Sequence, residues 1–161
     1  MQNSTMRIKT ITTEYVLDED RIRLSVADPD DYKRTLWLTR RLSERIIPAC
    51  LNRLPLDAGS PEEVPAAQVY AQLEARLYKK PAPTVLPDKD QPEFLITQVQ
   101  MNRNDSGTYT LSFDDAHGES ALLVLSAQEM RQWLEVLKLA FVKGEWRMDI
   151  WPAWLTEVRQ G

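Results

Sequence analysis

The single histidine of the chain, His117, lies in a short acidic segment that could hold a metal ion. Asp115, His117 and Glu119 occupy alternate positions, and all three side-chain types are common metal ligands. Metal sites usually draw their ligands from separate elements with supporting groups around them. This segment instead contains Gly118, which is typical of a tight hairpin turn. The sequence therefore favours a polar turn and predicts no metal site.

The single cysteine, Cys50, is a second candidate for chemistry. A cysteine nucleophile needs an activating base and a lowered thiol pKa. Cys50 instead shares a helical apolar stripe with Ile46, Ile47 and Leu54, so we interpret it as a small buried hydrophobic residue. One cysteine also excludes an internal disulfide.

Acidic residues cluster in two turns, residues 18–20 and 28–31, at opposite ends of one predicted strand. Neither segment has the central glycine and terminal glutamate of a calcium loop. The chain lacks the glycine-rich phosphate motifs, the nucleophile elbow, the zinc-protease motif and paired CxxC motifs, and it has five glycines. We predict no catalytic residue and no cofactor, so the protein is not expected to be an enzyme. An enzyme that uses Asp, Arg or Tyr without a diagnostic motif stays open.

Four arginines of the first predicted helix form the most basic feature of the sequence. Arg40, Arg41, Arg45 and Arg53 could contact phosphates, but no base-reading side chains accompany them. The chain has a net charge of −4 and a pI near 5.1, which argues against a protein that neutralises nucleic acid. A solvated helix face is the favoured interpretation, with nucleic-acid binding as the alternative.

Large aromatic residues concentrate near the carboxyl end. Three of the five tryptophans, Trp146, Trp151 and Trp154, lie within nine residues, and Leu155 follows them. Aromatic side chains are enriched where proteins meet. We therefore take these four residues as a candidate interface, with two alternatives: the tail folds back on its own domain, or it lines a ligand or peptide cleft.

The elements that carry these residues fall into two similar halves. The first half alternates apolar and polar residues as strands do and then changes to helical spacing. Its predicted strands are residues 6–17, 21–27 and 32–38, followed by a helix capped at Thr39 that reaches Leu54 and contains Pro48.

A second helix and a proline-rich loop separate the halves. Residues 60–78 begin with Ser60-Pro61-Glu62-Glu63, a typical helix start. The apolar residues of this helix are expected to face inward; they are Ala67, Tyr70, Leu73 and Leu77. Residues 79–93 are expected to form an extended loop.

The second half repeats the order of the first. Its predicted strands are residues 94–101, 108–113 and 120–125, and Ser126 with Glu129 forms a capping box for a helix that ends near Gly144. The halves, residues 6–54 and 94–143, align without a gap at an offset of 87, so that Ile22 meets Tyr109. A duplication explains this alignment, but any two units of three strands and a helix would share much of the pattern. Residues 144–161 form the aromatic tail.

These observations predict one domain over the 161 residues. The expected fold class is α+β: an antiparallel β-sandwich of six to seven strands with an inserted helix pair, a carboxy-terminal helix and a Trp-rich tail. Neither a membrane span nor a signal peptide is evident, so a bacterial-type cytoplasmic protein is expected.

The order of elements resembles the head domain of the scaffold proteins that partner DNA ligase in end joining, a head also found in centriolar cartwheel scaffold proteins. The resemblance covers about residues 8–141 and is carried by the helix pair, 39–54 and 60–78, and by strand 120–125 running into Ser126-Ala127-Gln128-Glu129. It implies a small sandwich closed by a helix–turn–helix. In that family the last helix continues into a dimerising stalk, whereas Gly144 and Pro152 interrupt the helical pattern here. Ligase and DNA partners are therefore not carried over.

We conclude from the sequence that a non-enzymatic interaction or scaffold domain is the most consistent function. A homodimer, or an unidentified protein partner, is expected to contact the last helix and the tail. One alternative is a ligand-binding or enzymatic domain with a pocket between sheet and helices, using Tyr109, His117 or Arg41. The other is a nucleic-acid-binding module that uses the arginine helix.

Overall fold

The computed structural model describes residues 5–54, 64–80, 82–87 and 90–155, which form an α+β fold with two four-stranded sheets. The strands are β1 (Thr5–Arg7), β2 (Thr10–Val16), β3 (Arg21–Ala27), β4 (Lys33–Leu38), β5 (Glu93–Leu95), β6 (Gln98–Arg103), β7 (Tyr109–Asp114) and β8 (Ser120–Leu125). The helices are α1 (Arg40–Asn52), α2 (Val64–Leu77) and α3 (Ala127–Gly144). No helix in the described part of the chain is long and apolar enough to cross a bilayer.

The count of six to seven strands was wrong, because the first predicted strand of each half is two strands. Residues 6–17 contain most of β1 and all of β2, and residues 94–101 contain parts of β5 and β6. The breaks at residues 8–9 and 96–97 contain neither Gly nor Pro, so the sequence carries no residue that marks the end of a strand there.

The two halves of the chain exchange their first strands, so that each sheet contains one strand from the other half. One sheet has the order β1-β8-β7-β6 and the other β2-β3-β4-β5. The pairs β1–β8 and β4–β5 are parallel and all the others are antiparallel, so the expected wholly antiparallel arrangement is wrong at one edge of each sheet. Each half thus places its first short strand beside the fourth strand of the other half.

Matching backbone hydrogen bonds mark the two crossings. Ile8 N donates to Leu122 O at 2.9 Å, and the next amide, Lys9 N, donates to Ala27 O of the other sheet at 2.7 Å. In the second half Ile96 N donates to Trp37 O at 3.0 Å and Thr97 N to Asp114 O at 2.8 Å. Successive amides of an extended chain point to opposite sides, which lets two neighbouring residues bond to different sheets.

Both sheets contribute to one hydrophobic core. The alternation predicted for β3 and β7 is confirmed at the inward positions, all fully buried: Ile22, Leu24, Val26, Tyr109, Leu111 and Phe113. Arg34 of β4 forms an ion pair with Glu119 at 3.1 Å, and its guanidinium lies 4.8 Å from the centre of the Phe94 ring. This contact joins β4 to the segment that enters β8 in the other sheet.

Helix α1 begins at the predicted cap, since the Thr39 hydroxyl accepts a hydrogen bond from Leu42 N at 3.2 Å. The helix continues through Pro48 to Asn52. Cys50 is fully buried, as predicted, and its Sγ lies 3.8 Å from Met101 Sδ of β6. The first half's helix therefore contacts the second half's sheet.

Helix α3 has the predicted capping box between Ser126 and Glu129. The left-handed residue at its end is Glu145, with φ of 57°, and not the glycine. Gly144 is instead the last helical residue, where a Cβ would lie 2.8 Å from Cε1 of Tyr15. Close approach of the Tyr15 ring therefore explains the glycine.

Helix α2 is turned the opposite way from the prediction. Gln68, Gln72 and Ala75 are buried, whereas Tyr70, Leu73 and Leu77 are exposed. The buried side bonds to α3: Gln72 Nε2 donates to Arg131 O at 2.8 Å, and Gln132 Nε2 donates to Ala75 O at 2.8 Å. The predicted start of this helix at residues 60–63 lies outside the described residues.

The two halves place a serine at equivalent positions, one buried without a hydrogen-bond partner in the described part of the chain and one half-buried with a partner. Ser25 of β3 is fully buried and its Oγ has no hydrogen-bond partner among the described residues. Its equivalent at the offset of 87, Ser112 of β7, donates to Asp114 Oδ1 at 2.8 Å. A buried hydroxyl without a partner costs stability, so Ser25→Ala should raise the free energy of unfolding by about 1 kcal/mol, and Ser112→Ala should lower it by about 1 kcal/mol. Urea denaturation of both variants checks this; equal destabilisation would contradict it.

Candidate functional site

The aromatic tail packs on its own chain. Trp146, Trp151 and Leu155 are buried, and Trp154 is half-buried. Phe141 of α3 lies between two of the indoles, with ring centres 4.9 Å from Trp146 and 5.4 Å from Trp151, both edge-on. Three of the four candidate interface residues therefore belong to the core, which corresponds to the folding-back alternative. The predicted contact with another molecule is untested.

Asp20, in the turn between β2 and β3, holds the beginning of the tail. Its Oδ1 accepts hydrogen bonds from Tyr15 OH at 2.7 Å and from Trp146 Nε1 at 3.0 Å. These bonds hold the pKa of Asp20 below its ordinary value. The hydrogen bond to Asp20 also raises the pKa of Tyr15.

Two buried cations of α3 contact the end of the tail. Lys138 Nζ donates to Leu155 O at 3.4 Å, and the Arg131 guanidinium lies 5.9 Å from the centre of the Trp154 ring. Burial lowers the pKa of Arg131. After Pro152 the chain forms a helical turn at residues 153–155. Trp146, Met148 and Ile150 alternate with polar residues, but they do not form a strand. A depression of 330 Å³ between α1 and the tail is bordered by Pro48, Leu51, Trp151 and Trp154.

The arginines of the proposed nucleic-acid face are exposed at both ends of α1: Arg40, Arg41, Arg45 and Arg53. Arg40 Nε lies 3.6 Å from Glu44 Oε1, and Arg53 Nη1 donates to Ala49 O at 3.1 Å. These contacts are typical of a solvated helix surface. Nucleic-acid binding by this face stays a prediction.

The residues suggested for a pocket do not meet in one cleft. Tyr109 is fully buried and its hydroxyl donates to Arg53 O at 2.6 Å, while Arg41 and His117 are exposed. His117 lies in the predicted turn, where Gly118 has φ of 89° and Asp115 Oδ1 accepts from the amides of His117 and Glu119. Within the described ranges, no three His, Cys, Asp or Glu residues are placed to share a metal ion.

The outward side of α2 is the first surface that the sequence analysis missed. Tyr70, Leu73 and Leu77 are 71%, 44% and 76% exposed, and they lie three and four residues apart on one side of the helix. Tyr78, also exposed, follows directly. We call these four residues the outer face of α2. Their helical spacing was recognised, but it was assigned to the core.

The second missed surface is a groove of about 530 Å³ between the end of α2, the β1–β2 crossing and the beginning of α3. We call it the lysine groove, because its rim carries the exposed residues Lys9, Lys79 and Lys80. Its apolar lining comes from several elements and includes Ile8, Ile11, Tyr78, Leu123, Val124, Leu125, Trp133 and Val136. Trp133 Nε1 is satisfied by Thr13 Oγ1 at 3.0 Å.

The beginning of the proline-rich segment lines the groove through Lys79, Lys80 and Ala82. Val85 N donates to Thr12 Oγ1 of β2 at 2.8 Å, and Val85 is buried. A second cleft of 460 Å³ shares Lys79, Lys80 and Ala82 with the groove. In the sequence, the adjacent Lys79 and Lys80 are the one indication of a basic site here. The third lysine of the groove, Lys9, is far away in the chain.

Comparison with known proteins adds no relative: no family model, no curated protein and no solved structure matches the chain.

The Asp20 carboxylate predicts an acid-side loss of stability. Its pKa is lower in the folded chain, so its contribution is present above the unfolded pKa and is lost as pH falls through the folded value. We expect Asp20→Asn, which keeps an acceptor oxygen and tolerates the φ of 51°, to show a smaller fall in melting temperature between about pH 5 and pH 2 than the parent chain. Parallel acid-side profiles for the two proteins would contradict this.

Cys50 should be unreactive in the folded protein. Burial raises the pKa of its thiol to about 12, so at pH 8 roughly one molecule in 10,000 carries the thiolate. An aromatic disulfide reagent should label Cys50 only in denaturant, as followed by absorbance. Stoichiometric labelling of the native chain within minutes would contradict its burial.

Proposed function

We propose that the protein is a non-enzymatic interaction protein that forms a homodimer through the outer face of α2. The single observation that carries the proposal is the reversed orientation of this helix. Its polar side chains Gln72 and Arg76 bond to α3, while its large apolar side chains face water.

The contact between α2 and α3 makes this orientation specific. Besides the two glutamine bonds, Arg76 Nη2 pairs with Glu135 Oε1 at 2.6 Å. Rotating α2 to bury Tyr70, Leu73 and Leu77 against α3 would break these bonds. It would also expose Gln72, which is fully buried in the structure, to water. The outward apolar side is therefore a property of the fold and is available to a partner.

The exposed area supports a partner of protein size. Two tyrosines and two leucines at these exposures present roughly 400 Å² of mostly apolar surface per copy. Soluble monomers rarely expose contiguous apolar patches larger than a few hundred Å², and the largest patch on a protein is often functional. Two copies would bury roughly 800 Å² from these residues alone, and neighbouring residues would bring the contact toward the roughly 1,200 Å² at which specific interfaces begin.

A second copy is the occupant that this surface fits directly. The four side chains carry no formal charge at neutral pH, so two copies meet without like-charge repulsion across the patch centre. The scaffold resemblance is compatible with this proposal, but it places the dimer contact on the last helix and its continuation. Here we assign the contact to α2.

The test compares two leucines of matched exposure. Leu77 is 76% exposed on α2, and Leu17 is 78% exposed in the turn after β2. Light scattering of the parent chain should give a mass near twice 18.6 kDa at high concentration. Leu77→Lys should weaken the dimer at least tenfold, about 1.4 kcal/mol, because it buries a charge in the contact. Leu17→Lys should leave it unchanged.

Trp154→Ala separates this interface from the tail interface. The variant removes the one half-exposed tail tryptophan and should leave the dimer intact. Dissociation by Trp154→Ala with a normal Leu77→Lys dimer would place the contact at the tail. A parent chain that stays monomeric at all concentrations would reject the homodimer.

A further inference from the structure

We propose that the lysine groove binds a small organic anion: an apolar body that carries one carboxylate, phosphate or sulfonate group. This site adjoins the proposed dimer contact, since Tyr78 lines the groove as well. The proposal does not rest on the dimer.

Charge is the first argument for an anionic ligand. The chain as a whole carries −4, yet the groove gathers three lysines and a single carboxylate, Glu129. None of the three ammonium groups forms an ion pair with any residue that the structure describes. A cleft lined mostly by one sign of charge concentrates ligands of the opposite sign.

The one carboxylate of the groove already has a structural role. Glu129 Oε1 accepts from Ser126 N at 2.9 Å in the capping box of α3. Its charge acts on the positive end of that helix and its oxygen faces the cap. The lysines therefore remain available to an anionic group of a ligand.

The walls supply the second argument. Ile11, Leu123 and Val136 line the groove together with Trp133. A volume of 530 Å³ lies within the range of small-molecule sites, which combine apolar walls with a few polar groups. A bare inorganic anion would use the lysines but leave this lining uncovered, so an amphipathic ligand fits better.

A fluorescent anion can test the site directly. Anilinonaphthalene sulfonate has an aromatic body and one anionic group, and its emission rises in apolar surroundings. We expect saturable binding to the folded parent chain. The double substitution Lys79→Gln with Lys80→Gln should weaken binding at least tenfold, and added salt should weaken it in the parent chain.

Matched controls separate charge, shape and location. Lys143→Gln with Arg147→Gln makes the same charge change at the other end of α3 and should alter binding by less than twofold. Phenylnaphthylamine, the uncharged counterpart of the probe, should bind more weakly than the anion and should not respond to the Lys79 and Lys80 substitutions. Val136→Trp should fill the groove and exclude both probes.

Three outcomes with these probes and variants would overturn the proposal, and a competition experiment supplies a fourth. They are equal binding of the anion to the parent and the Lys79–Lys80 variant, equal affinity for the charged and uncharged probes, and loss of binding in Leu77→Lys with retention in the Lys79–Lys80 variant. The last result would assign the probe to the outer face of α2. Competition by naphthoate or naphthyl phosphate then identifies the preferred anionic group, and displacement by neither also rejects the site.

Discussion

Each half of the chain depends on the other for the last strand of its sheet. β1 pairs with β8, joining Thr5 to Ser120, and β5 pairs with β4, joining Thr35 to Glu93. These short strands cover sheet edges that would otherwise present unpaired amides and carbonyls. Because the pairing joins residues far apart in sequence, neither sheet is complete until both halves are present, and folding is governed by non-local contacts.

The exchange also places the helices. After its crossing each half continues in the opposite sheet, so α1 contacts β6 of the second half and α3 lies over β2 of the first. α3 is then buried broadly, from Met130 to Phe141, and offers a backbone carbonyl and two polar side chains to α2. These polar groups of α3 bind α2 through the side-chain amides of Gln72 and Gln132 and through the ion pair between Arg76 and Glu135. The apolar side of α2 is left facing outward as a consequence.

Much of the fold follows from local rules. Caps at Thr39 and Ser126, the alternation in β3 and β7 and the turn at Gly118 each depend on residues within a few positions, and all were predicted. The strand breaks were missed because extended conformation continues through Ile8 and Lys9 while only the bonding partner changes. The side of α2 was missed because periodicity shows which residues share a face, but not what that face meets. The lysine groove was missed because it brings Lys9 and Lys79 together from distant parts of the sequence, and a local sequence pattern cannot show such a contact.

Two buried cations of α3, Arg131 and Lys138, favour one of two packings of the tail aromatics. Arg131 and Lys138 are seven residues apart, so they lie on one side of α3, beside its apolar stripe. Buried cations need acceptors or aromatic faces close by. The tail supplies both in Leu155 O and the Trp154 ring, and it covers Phe141 with two more indoles. The tryptophans alone were also compatible with an intermolecular contact. The two cations favour folding back, since a tail engaged elsewhere would remove these partners from them.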